Sequence, residues 1–193
     1  AMSDGNEKIE VWASAIGSAS GNHPAVTSIG KEAYHTTTVY TDKYGGVHYV
    51  EAQPGAPSNP FGGYIGSWGN IVTKSGEFPS LESAIAAGNN PMANPYAAKS
   101  TVKEGFDLSV DFQNVKAGYS YVESKGIAYG AVTTNSNAAT YTALQGAGLT
   151  PPALPDRPTY GAPVTSTGQV NAPGWGTNLI DFPDVPPGFG PTT

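Results

Sequence analysis

Proline and glycine are placed along this chain in a way that excludes a helical bundle. The 193 residues include 25 glycines and 17 prolines, and ten of the prolines follow Leu149. Proline is excluded from helix interiors and central strands, and glycine favours turns. The sequence therefore predicts a single domain over residues 1–150. A Pro/Gly-rich extended tail is predicted over residues 151–193, partly docked on that domain.

Charge and composition narrow the classes of function. The formal net charge is −6 with only nine Lys and Arg residues, whereas nucleic-acid binding needs clustered basic side chains. No cysteine is present, which excludes disulfides and thiolate metal sites. No apolar run approaches the roughly 20 residues of a membrane span, and no signal peptide is recognisable. We expect a soluble protein without a nucleic-acid partner, whose export, if any, uses a signal-independent route.

The clearest local pattern is a pair of strand-like segments around two glycines. Residues 34–41 and 47–53 are rich in β-branched and aromatic side chains, and Gly45 and Gly46 lie between them. This pattern predicts a β-hairpin. Period-two alternation predicts another strand over 8–16. Weaker patterns predict a strand over 62–74 and a strand over 103–115 with one apolar side, made of Phe106, Leu108, Val110 and Phe112.

Helical patterns are few. The best helix is predicted from Ala138 to Leu149, where apolar residues recur at helical spacing. A short helix is predicted from Ser80 to Ala87. Together these elements predict an α+β fold, with a small antiparallel β-sheet and a helix that carries a nucleophile at its N-terminus. Three apolar residues of the tail are costly to expose and are expected to be docked: Trp175, Leu179 and Ile180.

The start of the main helix is where local structure and chemistry coincide. The segment Asn135-Ser136-Asn137 precedes Ala138. A hydroxyl or amide oxygen at such a position caps the helix by accepting backbone N–H bonds. Alternatively, the Ser136 hydroxyl is a nucleophile beside N–H groups that can stabilise an oxyanion. A serine nucleophile depends on a general base, so the histidines decide between the two interpretations.

Two histidines lie in the predicted hairpin. His35 is near the start of its first strand and His48 near the start of its second, and each is either an ordinary strand histidine or a base. A turn centred on Tyr44 pairs residues whose numbers sum to about 88, which places Gln53 opposite His35 and Glu51 on the same face. A turn on Gly45-Gly46 shifts the register and favours His48 instead. The third histidine, His23, is predicted to lie in a surface loop.

The order of these groups resembles a known enzyme pattern. His35-Thr-Thr-Thr-Val-Tyr40 is followed by a polar residue on the next strand (His48, Glu51 or Gln53), and later by Asn135-Ser136-Asn137-Ala138 at a helix start. This order is similar to that of circularly permuted papain-like enzymes, including the lecithin:retinol acyltransferase-like group. The similarity covers residues 34–53 and 134–149. Ser136 stands where that family has cysteine.

The resemblance implies an acyl-enzyme mechanism without a cofactor or metal. Ser136 would attack an acyl carbon, His35 would accept its proton, and the residue on the next strand would orient the imidazole. The backbone N–H of Ser136 or Asn137, with the Asn135 amide nearby, would stabilise the oxyanion. The implied protein is a hydrolase or acyltransferase of amidase, peptidase or esterase type. Its substrate would be a peptide, peptidoglycan or lipid-type acyl compound.

The context that we expect is a bacterial toxin or effector domain, with a cognate protein as a possible partner. The serine leaves three explanations open: a true serine enzyme, a natural pseudo-site, and an engineered replacement of cysteine. The second hypothesis is accordingly a non-catalytic, β-rich binding or structural module. Such a module would be a pseudoenzyme or a component of a secreted or viral assembly.

Overall fold

A computed structural model gives the fold of the chain. It describes residues 6–15, 34–56, 68–130, 134–156, 170 and 172–180. Within these residues the protein is α+β, as predicted. The strands are β1 (Glu7–Ala15), β2 (Tyr34–Thr41), β3 (Val47–Pro54), β4 (Ile71–Phe78) and β5 (Ala98–Gly105). The helices are α1 (Leu81–Ala87), α2 (Ser109–Ser124) and α3 (Ser136–Gly146), with a 3-10 turn at Pro91–Ala93.

The five strands form one antiparallel sheet in the order β4-β3-β2-β1-β5. The predicted hairpin is confirmed as β2 and β3. Thr38 pairs with Val50 and Tyr40 with His48, so the register is the one in which residue numbers sum to 88. Gly45 is the turn glycine that needs its conformational freedom, because its φ is +84°.

Each face of the sheet is covered by a different layer. Helices α2 and α3 pack on one face and enclose the main core, which includes Ile9, Val50 and Tyr119. Helix α1 and the 3-10 turn cover part of the other face, where Met92 and Trp12 are buried. Helix α1 begins at a capping box in which Ser80 accepts the Ser83 backbone N–H, in agreement with the predicted start.

The predicted strand over residues 103–115 is wrong. Strand β5 ends at Gly105, Asp107 has a φ of +56°, and helix α2 begins at Ser109. The period-two alternation coincides with a helical stripe that continues beyond it: Leu108, Phe112, Val115, Tyr119 and Val122 are all buried. The other two members of the proposed apolar side, Phe106 and Val110, are 71% and 65% exposed.

Three apolar residues in the described part of the tail pack against the main core. Ile180 is buried in the main core, and Trp175 and Leu179 pack against it. Residues 157–169 and 181–193 of the tail, His23, and residues 62–67 of the predicted fourth strand lie outside the described residues. In the part of the chain that is described, no helix has the length and apolar character needed to cross a membrane.

Candidate functional site

Ser136 is the first residue of helix α3, and the residue before it makes the cap. The Asn135 side-chain oxygen accepts the backbone N–H of Asn137 at 3.0 Å and that of Ala138 at 3.2 Å. These are the bonds that an N-cap residue ordinarily makes. Because Asn135 caps the helix, the hydroxyl of Ser136 is available for a different contact.

That contact is with His35, at the start of strand β2. Nδ1 of the imidazole lies 2.7 Å from the Ser136 hydroxyl oxygen, and Nε2 lies 2.8 Å from a carboxylate oxygen of Glu51. A hydroxyl, an imidazole and a carboxylate thus form one continuous hydrogen-bonded chain. In the Ser-His-Asp template Nε2 faces the serine, so the two ring nitrogens have exchanged places here. With Glu51 ionised, Nε2 carries the proton and Nδ1 accepts the Ser136 O–H.

Glu51 is held as a carboxylate by its neighbours. Burial by itself raises the pKa of this side chain, but the hydrogen bond and charge of His35 lower it. The Thr37 hydroxyl, which donates to the same carboxylate oxygen at 2.9 Å, and the charge of Lys74 act in the same direction. The net result is that the pKa of Glu51 lies below its ordinary value. The group is therefore ionised at neutral pH and fixes the imidazole tautomer.

Asn137 aligns the helix with the strand. Its side-chain oxygen accepts both the backbone N–H and the hydroxyl of Thr36, each at 2.9 Å. Its side-chain nitrogen donates to the Tyr34 carbonyl at 2.9 Å. Tyr34 and Thr36 are the two neighbours of His35 in the chain. A single buried amide, one residue after Ser136, thus holds the backbone on both sides of the histidine.

The tail closes over the same helix end. The Pro173 carbonyl accepts the side-chain N–H groups of Asn135 at 2.8 Å and Asn137 at 2.9 Å. Gly174 follows with a φ of +88°, and a side chain there would collide with the Asn135 carboxamide. Only glycine therefore lets the tail approach this closely. The buried amides at the start of α3 depend on a segment almost 40 residues away in the sequence.

The predicted oxyanion donors are reduced to one by these bonds. The Asn137 N–H is used by the cap, and the Asn135 amide is turned to Pro173. Among the residues that the structure describes, the backbone N–H of Ser136 makes no hydrogen bond. The Tyr129 hydroxyl lies 3.5 Å from the Ser136 hydroxyl oxygen and is a second donor near the same place.

An open cleft adjoins the histidine. Its volume is about 490 Å³, and His35, Glu51 and Gln53 contribute to its floor. Gln53 was predicted as an alternative orienting residue, but Glu51 is the side chain that bonds the imidazole. The other residues of the lining are Ser14, Pro54, Lys74, Asn89, Asn90 and Pro91.

His48 is not brought to this cluster. Its Nε2 lies 2.8 Å from Asp42 and its Nδ1 lies 3.2 Å from Glu77, near the turn of the hairpin. The ring also stacks on Tyr40 with centroids 5.2 Å apart. Both nitrogens of His48 are thus occupied by carboxylates, and neither faces the Ser136 hydroxyl.

Several contributors to the cluster were missed by sequence reasoning. Thr37 alternates with His35 on one face of a predicted strand, so period-two spacing alone could have identified it. Tyr129, Ser14 and Pro173 reach the site through long-range packing and leave no local signal. Within the described ranges, no group of three or more His, Asp or Glu side chains is arranged to hold a metal ion.

Comparisons with protein-family models, with curated protein sequences and with solved structures found no match to this chain.

Proposed function

We propose that this protein is a serine hydrolase or acyltransferase acting on an amide or ester bond. The observation that carries the proposal is the chain from Ser136 through His35 to Glu51, with both contacts between 2.7 and 2.8 Å. A hydroxyl bonded to an imidazole, which is in turn bonded to a carboxylate, is the geometric signature of nucleophilic catalysis by serine.

Each group has a defined step. The Ser136 oxygen attacks the acyl carbon while His35 Nδ1 accepts the hydroxyl proton, and Glu51 stabilises the imidazolium that forms. The Ser136 N–H and the Tyr129 hydroxyl donate to the developing oxyanion. Nδ1 then returns the proton to the leaving group, which leaves an ester on Ser136. Attack by water or an acceptor alcohol, again with His35 as base, releases the acyl product and restores the serine.

The site also favours the papain-like interpretation of the sequence. The histidine on a strand, the acidic residue on the next strand and the nucleophile at a helix start all follow the order of that family. Ser136 then replaces the family's cysteine and depends more strongly on its base, because a hydroxyl is far less acidic than a thiol. Peptide, peptidoglycan and lipid-type acyl compounds remain the proposed substrates. A bacterial effector role with a cognate protein partner remains the proposed context.

The proposal is tested by covalent labelling with a fluorophosphonate probe. We expect wild-type protein to gain one adduct, mapped to Ser136 by peptide mass spectrometry. His35→Ala should abolish labelling and Ser80→Ala should retain it. Ser80 is the matched control because it is also at a helix start but, among the described residues, its hydroxyl has Ser83 and no histidine as its side-chain partner. Absence of labelling in the wild type, or labelling that survives Ser136→Ala, would contradict the proposal.

A further inference from the structure

The cleft beside His35 contains an ammonium group that makes no direct ion pair within the described residues. Lys74 lines the cleft and lies directly across from Glu51 in the pairing of β3 with β4. Within the described residues, Lys74 forms no salt bridge, whereas Lys8 and Lys103 do. The Glu51 carboxylate is already engaged by His35 and Thr37. The charge of Lys74 acts on Glu51 without a direct ion pair, so the N–H donors of the ammonium group remain for a ligand.

The same cleft contains a buried hydroxyl without a partner. Ser14 lies opposite His35 in the pairing of β1 with β2 and contributes to the cleft lining. Its oxygen is buried and makes no hydrogen bond to any residue that the structure describes. Buried polar groups are almost always hydrogen-bonded, so an exception calls for an explanation. A bound ligand that fills the cleft would supply the missing bond.

These two features point to one class of ligand. The protein as a whole is acidic, with a formal charge of −6, so its general field disfavours anions. The Lys74 ammonium, in a cleft that His35 also lines, has the opposite effect locally. A substrate that pairs a negative charge with an uncharged polar atom would match Lys74 and Ser14 together.

We propose that the cleft binds the acyl part of a carboxylate-bearing amide or ester, with the carboxylate at Lys74 and a polar atom at the Ser14 hydroxyl. The proposal deepens the hydrolase function and rests on it for the identity of the ligand as a substrate. Lys74 determines the preference for a negatively charged ligand, whereas the Ser14 hydroxyl strengthens the binding of charged and neutral ligands alike.

A binding experiment separates this proposal from the catalytic one. The full chain carrying Ser136→Ala is titrated with N-acetyl-glutamate methylamide and, separately, with the glutamine analogue, which differs only in the charge of the side chain. Binding is followed in ¹H–¹⁵N spectra at low ionic strength. Because this variant lacks the Ser136 hydroxyl, the result does not depend on whether Ser136 is a nucleophile.

We expect the acidic probe to bind about three- to fivefold more tightly than the neutral one, as is typical of an exposed ion pair. The shifted amides should include those of Ser14 and Lys74. Lys74→Gln should abolish the preference, and Lys116→Gln should retain it. Lys116 is the matched control because the same charge is removed from helix α2, which packs on the other face of the sheet.

Ser14→Ala provides an independent check. It should weaken the binding of both probes by the same factor. The midpoint of thermal unfolding should stay unchanged or rise, because the hydroxyl makes no hydrogen bond to the described residues that the substitution would remove. Equal binding of the two probes, or an equal response to Lys74→Gln and Lys116→Gln, would overturn the assignment of Lys74. A lowered midpoint for Ser14→Ala with unchanged binding would overturn the assignment of Ser14.

Discussion

The two histidines of the β2–β3 hairpin lie in opposite chemical settings. His35 lies between a hydroxyl and a carboxylate, those of Ser136 and Glu51. His48 lies between two carboxylates, those of Asp42 and Glu77. The same hairpin therefore places one histidine beside a hydroxyl, which can donate a proton, and the other histidine beside two carboxylates, which accept hydrogen bonds.

The difference shows that the partner, more than the histidine, determines what an imidazole can do. In the proposed mechanism, His35 accepts the Ser136 proton while Glu51 stabilises the resulting cation. Among the described residues, His48 has no hydroxyl partner, and its two ring nitrogens face carboxylates instead. Asp42 also accepts the N–H groups of Tyr44 and Gly46, so the His48 cluster belongs to the turn. Substitutions at both sites measure this difference.

The largest loss of activity is expected from removing Ser136 or His35, the two side chains between which the proton would move. Ser136→Ala and His35→Ala should each lower kcat on an activated ester by about 10⁴-fold or more, which is the loss known for the catalytic serine and histidine of serine proteases. His48→Ala should change kcat by less than about twofold because its ring contacts no reacting group. A loss with His48→Ala as large as that with His35→Ala would remove the distinction between the two sites.

A smaller loss of kcat is expected from neutralising the carboxylate that contacts His35. Glu51→Gln should lower kcat by about 10²- to 10⁴-fold, because the amide no longer fixes the imidazole tautomer or stabilises its cation. Asp42→Asn makes the same chemical change beside His48 and should leave kcat within about twofold. Steady-state kinetics on the two variants check this pair. Equal kcat values for Glu51→Gln and wild type would show that Glu51 does not orient His35.

The amide that aligns helix and strand should affect stability more than turnover. Asn137→Ala leaves the Tyr34 carbonyl and the Thr36 N–H and hydroxyl without this partner, at about 1 to 3 kcal/mol for each buried group. We expect a loss of about 3 to 5 kcal/mol in the free energy of unfolding by urea. Asn94→Ala, which removes one bond to the Tyr96 N–H, should cost about 1 kcal/mol. Equal losses in the two variants would contradict the alignment role.

The smallest effect is a pH dependence of stability. The pKa of Glu51 in the folded protein is below its usual value of 4.5, because the bonds and charge of its partners outweigh its burial. Between the pKa of Glu51 in the folded protein and its usual value of 4.5, the unfolded chain binds more protons than the folded protein. A fall in pH through this range therefore destabilises the fold. The stabilising contribution of Glu51 is complete above about pH 4.5 and is lost as the pH falls through the folded pKa.

Urea unfolding of wild type and Glu51→Gln from pH 6 to pH 3 measures this contribution. The difference in the free energy of unfolding between wild type and Glu51→Gln should decrease as the pH falls. Asp42→Asn should show a smaller decrease, because the pKa of Asp42 is also lowered but the group is closer to solvent. A difference that stays constant with pH would mean that Glu51 gains nothing from its ionised state.

The groups of the site could be predicted where local pattern was enough. Strand periodicity located His35, the polar start of an apolar segment located Ser136, and the arithmetic of hairpin pairing placed Glu51 on the face of His35. Local pattern could not decide among Glu51, Gln53 and His48, because a one-residue shift in register turns each side chain to the other face. In the structure the pairing is centred on Tyr44, which is the register that places Glu51 on the face of His35.

Long-range packing accounts for most of what sequence reasoning missed. The segment over 103–115 satisfies both a strand period and a helix period. In the structure β5 ends at Gly105, and α2 begins at Ser109 with its apolar stripe packed in the main core. Asn135 and Asn137 resembled oxyanion donors, but their amides are used by the cap, by strand β2 and by Pro173. No local pattern connects a proline in the tail with the start of α3.

The most direct test of the central claim uses the absence of cysteine from the chain. Ser136→Cys introduces a single thiol, and its alkylation by iodoacetamide is followed from pH 5 to pH 9. If His35 and Glu51 activate this position, the thiol should react at pH 6 at least about tenfold faster than in the Ser136→Cys/His35→Ala double variant. Ser136→Cys/His48→Ala should behave like Ser136→Cys. Identical pH profiles for Ser136→Cys with and without His35 would contradict the account.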